Sequence, residues 1–206
     1  MGEAMISVFL LEDHDQVRAG LRRIIDGADD LRVVGEASTV GEALDQILST
    51  NPDVAILDVE LPDGNGVEVG RDIRSHCPDV KCVMLTGIMD DEALMAATIA
   101  GADGFLSKPT SPASLVNAIR QVAAGHQLVE PALVSSVTER FRHGPVEDPL
   151  LADLDPHERR VLNLVADGRT NRQIGENLDL PEHSVKMHIS DALAKLGIVR
   201  RGFTPV

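Results

Sequence analysis

Five short apolar runs, Met5 to Leu11, Leu31 to Gly35, Asp53 to Asp58, Val80 to Leu85 and Gly104 to Ser107, alternate with stretches whose apolar residues recur at helical spacing. The runs have the length and branching of strands buried on both faces. Between them, Val17, Leu21, Ile24 and Ile25 stripe one helix opposite Arg18, Arg22 and Arg23, and Val40, Ala43, Leu44, Ile47 and Leu48 stripe the next. Further helices are expected over Val67 to His76, Asp90 to Ala100 and Ser111 to Ala124. Strands joined by helical crossovers lie parallel, so this pattern predicts an α/β, doubly wound, five-stranded parallel sheet with helices on both faces.

Such a sheet gathers its strand ends on one rim, and the residues there are polar. Glu12 and Asp13 follow the first run, Asp58 ends the third, Thr86 follows the fourth and Lys108 the fifth. An acid after a strand is ordinary turn chemistry. Convergence of all these groups on the carboxyl edge, where open parallel sheets bind ligands, is what a site requires. Three carboxylates on neighbouring loops repel one another and favour a hard divalent cation, Mg²⁺ above all. A carboxylate can act as nucleophile toward phosphorus, while a lysine ammonium and a threonine hydroxyl hold the phosphoryl oxygens.

The net charge of −14 is unevenly spread: residues 1–150 carry 11 Lys+Arg against 25 Asp+Glu, and residues 151–206 carry 8 against 8. Aromatic residues make up only 2% of the chain, with no Trp and no Tyr, so the core must be aliphatic. No apolar run is long enough to span a membrane and the first residues lack the pattern of a signal peptide, so a cytoplasmic location without a membrane partner is expected. Cys77 and Cys82 lack metal-site spacing and read as reduced thiols.

From Gly125 to Asp153 the pattern loosens around one helical stretch, Leu133 to Arg142. The expected organisation is a sheet domain over 1–126, a linker with one helix over 127–153 and a small all-α domain over 154–206. In the last of these, Asp155-Pro156-His-Glu158 has the form of a capped helix start, and Thr170-Asn-Arg-Gln173 that of a capping box. A third helix runs from Leu180-Pro181 to Leu196. Two short helices joined by a tight turn, the second with a polar outer face, make a helix-turn-helix pattern.

The residue constellation Glu12-Asp13, Asp58, Thr86 and Lys108-Pro109, with Leu61-Pro-Asp-Gly-Asn-Gly66, resembles the receiver domain of bacterial two-component response regulators, a flavodoxin-like fold. The resemblance implies that Asp58 is the phosphoacceptor and that Glu12, Asp13, Asp58 and the Glu60 main-chain carbonyl ligate the metal. It makes Thr86 and Phe105 the switch pair and Lys108 the phosphate-binding ammonium. Phe105 stands where the family more often has Tyr. None of the seven histidines falls among these residues, so the donor histidine is expected on a separate sensor kinase.

Leu154-Asp-Pro-His-Glu-Arg159, Val165-Ala-Asp-Gly-Arg-Thr-Asn171, Ser184-Val-Lys-Met-His188 and Lys195-Leu-Gly-Ile198 resemble the LuxR-type DNA-binding domain, and the whole chain is similar to the NarL/FixJ family. Leu61 to Gly66, Pro78 to Thr86 and Arg200-Arg201 are similar to the actinobacterial dormancy regulators. On this resemblance Lys186 and His188, flanked by His183 and Met187, face the major groove of double-stranded DNA, and Arg172, Ser184, Lys195 and Arg201 face phosphates. A homodimer is expected on phosphorylation. Two departures stand out: Asp191 puts an acid on the presumed DNA face, and Gly202-Phe-Thr-Pro-Val206 replaces a fourth helix that family members use for support and dimerisation.

Two rival functions carry their own signatures. A haloacid dehalogenase-type phosphatase needs a second Asp two residues after its nucleophile, where this chain has Glu60. A receiver acting through protein contacts alone would have a last domain that no longer binds DNA.

Overall fold

The computed structural model describes residues 5–87, 91–108, 110–129, 131–143 and 151–198. Its first part is a five-stranded parallel sheet of order β2-β1-β3-β6-β7. The strands are β1 (Ile6–Leu11), β2 (Leu31–Ala37), β3 (Val54–Asp58), β6 (Lys81–Thr86) and β7 (Gly104–Ser107). Between β3 and β6 the expected loop forms a small antiparallel ribbon, β4 (Glu60–Leu61) with β5 (Gly64–Asn65). The helices of this part are α1 (Asp15–Asp26), α2 (Val40–Thr50), α3 (Gly66–His76), α4 (Asp91–Ala100) and α5 (Pro112–Ala123).

Strand alternation sorts the core into two layers. Val8, Leu10, Val54, Ile56, Val83 and Leu85 point toward Leu21 and Ile25 of α1 and Leu115, Ile119 and Val122 of α5. Their neighbours Phe9, Leu11, Ala55, Leu57, Cys82 and Met84 point to the other face, against α2, α3 and α4. A one-residue slip of any strand would exchange these faces, which is why the register is fixed. The core is aliphatic as expected, Phe9 being the one aromatic among its largest fully buried side chains. Both cysteines are buried and free, and burial pushes their thiols up, so they stay protonated.

After α5 come α6 (Pro131–His143), α7 (Pro156–Ala166), α8 (Asn171–Leu178) and α9 (Glu182–Lys195). The expected capping box of Thr170 and Gln173 is present, and the expected capped start at Asp155 is a capping box too: Asp155 accepts from the Glu158 N–H while Glu158 accepts from the Asp155 N–H. The turn from α8 to α9 is tight. Asp179 adopts the left-handed conformation with φ 55°, and a Cβ on Gly175 would lie 2.6 Å from the Leu180 carbonyl oxygen. Val161, Leu162, Ile174, Val185, Ile189 and Leu193 close the small core, continuous with the layer on α3 and α4. Asp90, Pro109, Arg200, Arg201 and the final five residues lie outside the described residues.

Candidate functional site

Parallel register explains how residues distant in sequence meet. Leu11 pairs with Leu57, Asp58 with Leu85 and Thr86 with Ser107, so Glu12, Asp58, Thr86 and Lys108 emerge side by side on the carboxyl rim. The Lys108 N–H donates to the Thr86 carbonyl at 2.7 Å and the Glu12 N–H to that of Ala37 at 3.1 Å, pinning the ends of the strands. Glu12 is 1% and Asp58 2% exposed.

Lys108 Nζ lies 2.6 Å from Asp58 Oδ2 and 3.0 Å from Glu12 Oε2, one ammonium between two carboxylates. Asp58 Oδ1 accepts from the Glu60 N–H at 3.3 Å. Burial raises the Asp58 carboxyl from its ordinary 3.8 to about 6; the Lys108 hydrogen bond opposes that rise and the Glu12 charge adds to it. Lys108 is itself raised, its bonds to Asp58 and Glu12 outweighing its own burial. One lysine therefore leaves the two buried acids short of compensating charge.

Glu12, Asp13, His14 and Asp58 bring ligand atoms within 4.8 Å of one another. Oxygen donors of this kind, including two buried carboxylates that share one ammonium, fit a hard divalent cation. His14 is an addition to the residues picked from the sequence. Its Nδ1 lies 3.1 Å from Glu12 Oε1 and 2.7 Å from Asp13 Oδ1, and the Glu12 hydrogen bond and the Asp13 charge raise its pKa. Only its adjacency to Glu12-Asp13 could have signalled this. Arg18 Nη1 donates to the Glu12 carbonyl at 2.7 Å and holds the loop from α1.

Gly66, the first residue of α3, sets how closely the loop after Asp58 folds back. Its N–H donates to the Val59 carbonyl at 3.1 Å, and a Cβ there would sit 2.1 Å from the Asp58 main-chain oxygen. Gly66→Ala is expected to cost about 3 kcal/mol of stability through forced backbone displacement. Urea unfolding measures that loss, and a variant within 0.5 kcal/mol of the parent, about the ordinary scatter of surface changes, would show that the close approach is not required. Phe105 lies on β7, half-buried against the helical layer, in register with Met84.

The helix-turn-helix residues divide by surroundings. His183 and Met187 are exposed on α9, Met187 at 58%, with Ser184 partly covered. Arg172 pairs with Glu176 at 3.2 Å on the surface of α8. His188 stacks on His157, ring centroids 5.9 Å apart. Lys195 lies 2.7 Å from the buried Glu158, tying the end of α9 to the start of α7. Lys186 faces the other domain, its Nζ 2.7 Å from Asp72 Oδ1 on α3. Arg201 lies outside the described residues.

That last contact belongs to a docked arrangement of the two parts. Arg71 of α3, 3% exposed, donates from Nε to Asn171 Oδ1 at 2.7 Å, from Nη2 to the Arg169 carbonyl at 2.8 Å and from Nη1 to the Ile99 carbonyl at 2.9 Å. Burial lowers its pKa to about 10, so it remains charged at neutral pH. Its fork thus joins α3 and α4 to the loop and first residue of α8. No sequence pattern distinguishes Arg71 from an exposed helical arginine.

Comparison with known proteins agrees with this architecture. Residues 8–120 match the family "Response regulator receiver domain", and residues 152–201 match "Bacterial regulatory proteins, luxR family". The chain is 41% identical to the DNA-binding transcriptional activator DevR/DosR of Mycobacterium tuberculosis, over 96% of this chain and 91% of that protein. It is 32% identical to the nitrate/nitrite response regulator protein NarL of Escherichia coli K12, covering 95% and 91%. Among solved structures, the response regulator ChrA of a heme-sensing two-component system superposes with TM-score 0.54 at 29% identity, covering 94% and 91%. These relatives are regulators rather than phosphatases, and among the described residues no helix is long and apolar enough to cross a membrane. Sequence, sheet topology and relatives together assign the chain to the NarL-type two-component response regulators, which join a receiver domain to a luxR-family DNA-binding domain.

Proposed function

We propose that Asp58 accepts a phosphoryl group from the phosphohistidine of a partner sensor kinase, and that this modification frees the helix-turn-helix domain to dimerise and bind double-stranded DNA. The observation that carries the reading is the buried Asp58 carboxylate held 2.6 Å from the Lys108 ammonium on a rim shared with Glu12. One Asp58 oxygen attacks phosphorus in line; the new O–P bond forms as the N–P bond breaks, and the departing imidazole nitrogen takes up a proton. Lys108 passes from the carboxylate to a phosphoryl oxygen, where its charge offsets the gain in negative charge. Thr86, at the end of β6, holds a second oxygen, and Phe105 responds on β7. Mg²⁺, held by Glu12, Asp13, Asp58 and the Glu60 carbonyl, supplies charge neutralisation when bound.

Residues 1–126 form the receiver in this reading, 127–153 the connecting segment and 154–206 the DNA-binding domain. Lys186, His188, His183 and Met187 meet base edges, while Arg172, Ser184, Lys195 and Arg201 meet phosphates. Lys186 must leave Asp72 before it can do so. The near-zero charge of this domain makes two copies necessary for useful affinity, because each contributes little counterion release.

Incubating the full chain with Mg²⁺ and acetyl phosphate tests the reading. The expected result is the mass gain of a single phosphoryl group mapping to Asp58, with retention of promoter DNA in a gel appearing only in the phosphorylated sample. A folded chain that gains no mass, or one whose DNA retention is the same with and without the donor, refutes it.

A further inference from the structure

Where the two domains meet, three side chains outside the phosphorylation site converge. Asp72 and His76 lie four residues apart on α3 and therefore on one face, and Glu182 opens α9 of the other domain. Ligand atoms from the three lie within 4.8 Å of one another. Each group is prepared for a cation in its own way. His76 Nδ1 lies 2.9 Å from the Asp72 carbonyl oxygen, which can only accept, so Nδ1 carries the proton and the Nε2 lone pair is left for a ligand. Glu182 Oε1 is buried with no hydrogen-bond partner among the described residues, a cost that a bound ion would remove. Asp72 Oδ1 already faces a cation, Lys186 Nζ at 2.7 Å, so positive charge is favoured at this point.

We infer that Asp72, His76 and Glu182 form a binding site for a divalent transition-metal ion, Zn²⁺ being the fitting case, which clasps the DNA-binding domain to the receiver. One imidazole nitrogen with two carboxylate oxygens suits Zn²⁺ and disfavours Mg²⁺ or Ca²⁺, which select all-oxygen sets. Three protein ligands leave a position for water, and the ammonium of Lys186 moves aside as the ion takes its place beside Asp72. The ion bonds α3 and α9 only while the domains are docked, so it stabilises the docked form.

Zn²⁺ binding by the full chain tests this, measured calorimetrically in a His14→Ala background with excess Mg²⁺, so that the acidic cluster of the receiver does not compete. One Zn²⁺ per chain is expected, with His76→Ala and Glu182→Ala each weakening binding about tenfold or more, as loss of a ligand should exceed loss of an outer partner. Co²⁺ as probe should give a visible ligand-field spectrum that both substitutions abolish. His76 is exposed, so His76→Ala removes no core contact, and unfolding of the metal-free variants checks their integrity. Absence of binding overturns the inference. So does binding that survives Glu182→Ala, since that places the ion on α3 alone.

Discussion

Asp58→Asn is expected to abolish phosphoryl uptake from acetyl phosphate while making the metal-free chain more stable at neutral pH. The first effect follows from chemistry: an amide has no anionic oxygen to attack phosphorus, and among the described residues the other carboxylate that Lys108 holds is Glu12, at 3.0 Å. The second follows from burial. Asp58 in the folded chain has a pKa of about 6 against an ordinary 3.8, so between these values the folded state binds the proton more tightly than the unfolded state. Stability therefore falls as pH rises through that window, by up to about 3 kcal/mol, and remains lowered above it. Asparagine has no charge to desolvate. The urea midpoint of Asp58→Asn should exceed that of the parent at pH 7 in the presence of a chelator, and the difference should vanish near pH 4. A variant less stable than its parent at pH 7 would mean that the Lys108 pairing outweighs the burial. The two readouts separate lost chemistry from lost fold.

Arg71→Ala is expected to release the DNA-binding domain without phosphorylation. Truncation removes three donated bonds at once, those to Asn171 Oδ1 and the Arg169 carbonyl across the interface and that to the Ile99 carbonyl within the receiver. Each such interface acceptor costs about 1–3 kcal/mol while it stays dry, and separation of the domains lets water satisfy it. A loss of about 3 kcal/mol from the docked form shifts the balance toward the separated form on the order of 100-fold. Small-angle scattering should show an expanded unphosphorylated chain, and a gel should show DNA retention without donor. Arg71→Lys should behave similarly, because one ammonium cannot reach three acceptors lying in different directions. A compact chain with unaltered DNA retention would show that the latch lies elsewhere in the interface.

The Lys186–Asp72 pair is the second half of the same arrangement. It engages a residue proposed to read DNA, so docking and DNA contact are mutually exclusive for that side chain. Arg71 holds the domains by buried hydrogen bonds, whereas Lys186 is 39% exposed and its pairing is screened by solvent and salt. The latch is therefore assigned to Arg71.

By itself the sequence determined the alternation of strands and helices, the gathering of Glu12, Asp58, Thr86 and Lys108 on one rim, and the capped starts of α7 and α8. These are local matters: side-chain period sets which face is buried, and capping needs partners only three residues apart. Small shifts occurred where local signals end, as in β2, which continues to Ala37 because pairing with β1 carries it past Gly35. Tertiary structure alone decided that His14 turns into the acidic cluster, that Lys195 pairs with Glu158, and that Arg71 is buried under a domain whose contacting residue lies 100 positions away. A helical arginine reads as exposed until something covers it. What covers it depends on how two finished surfaces fit, which no period or spacing along the chain encodes.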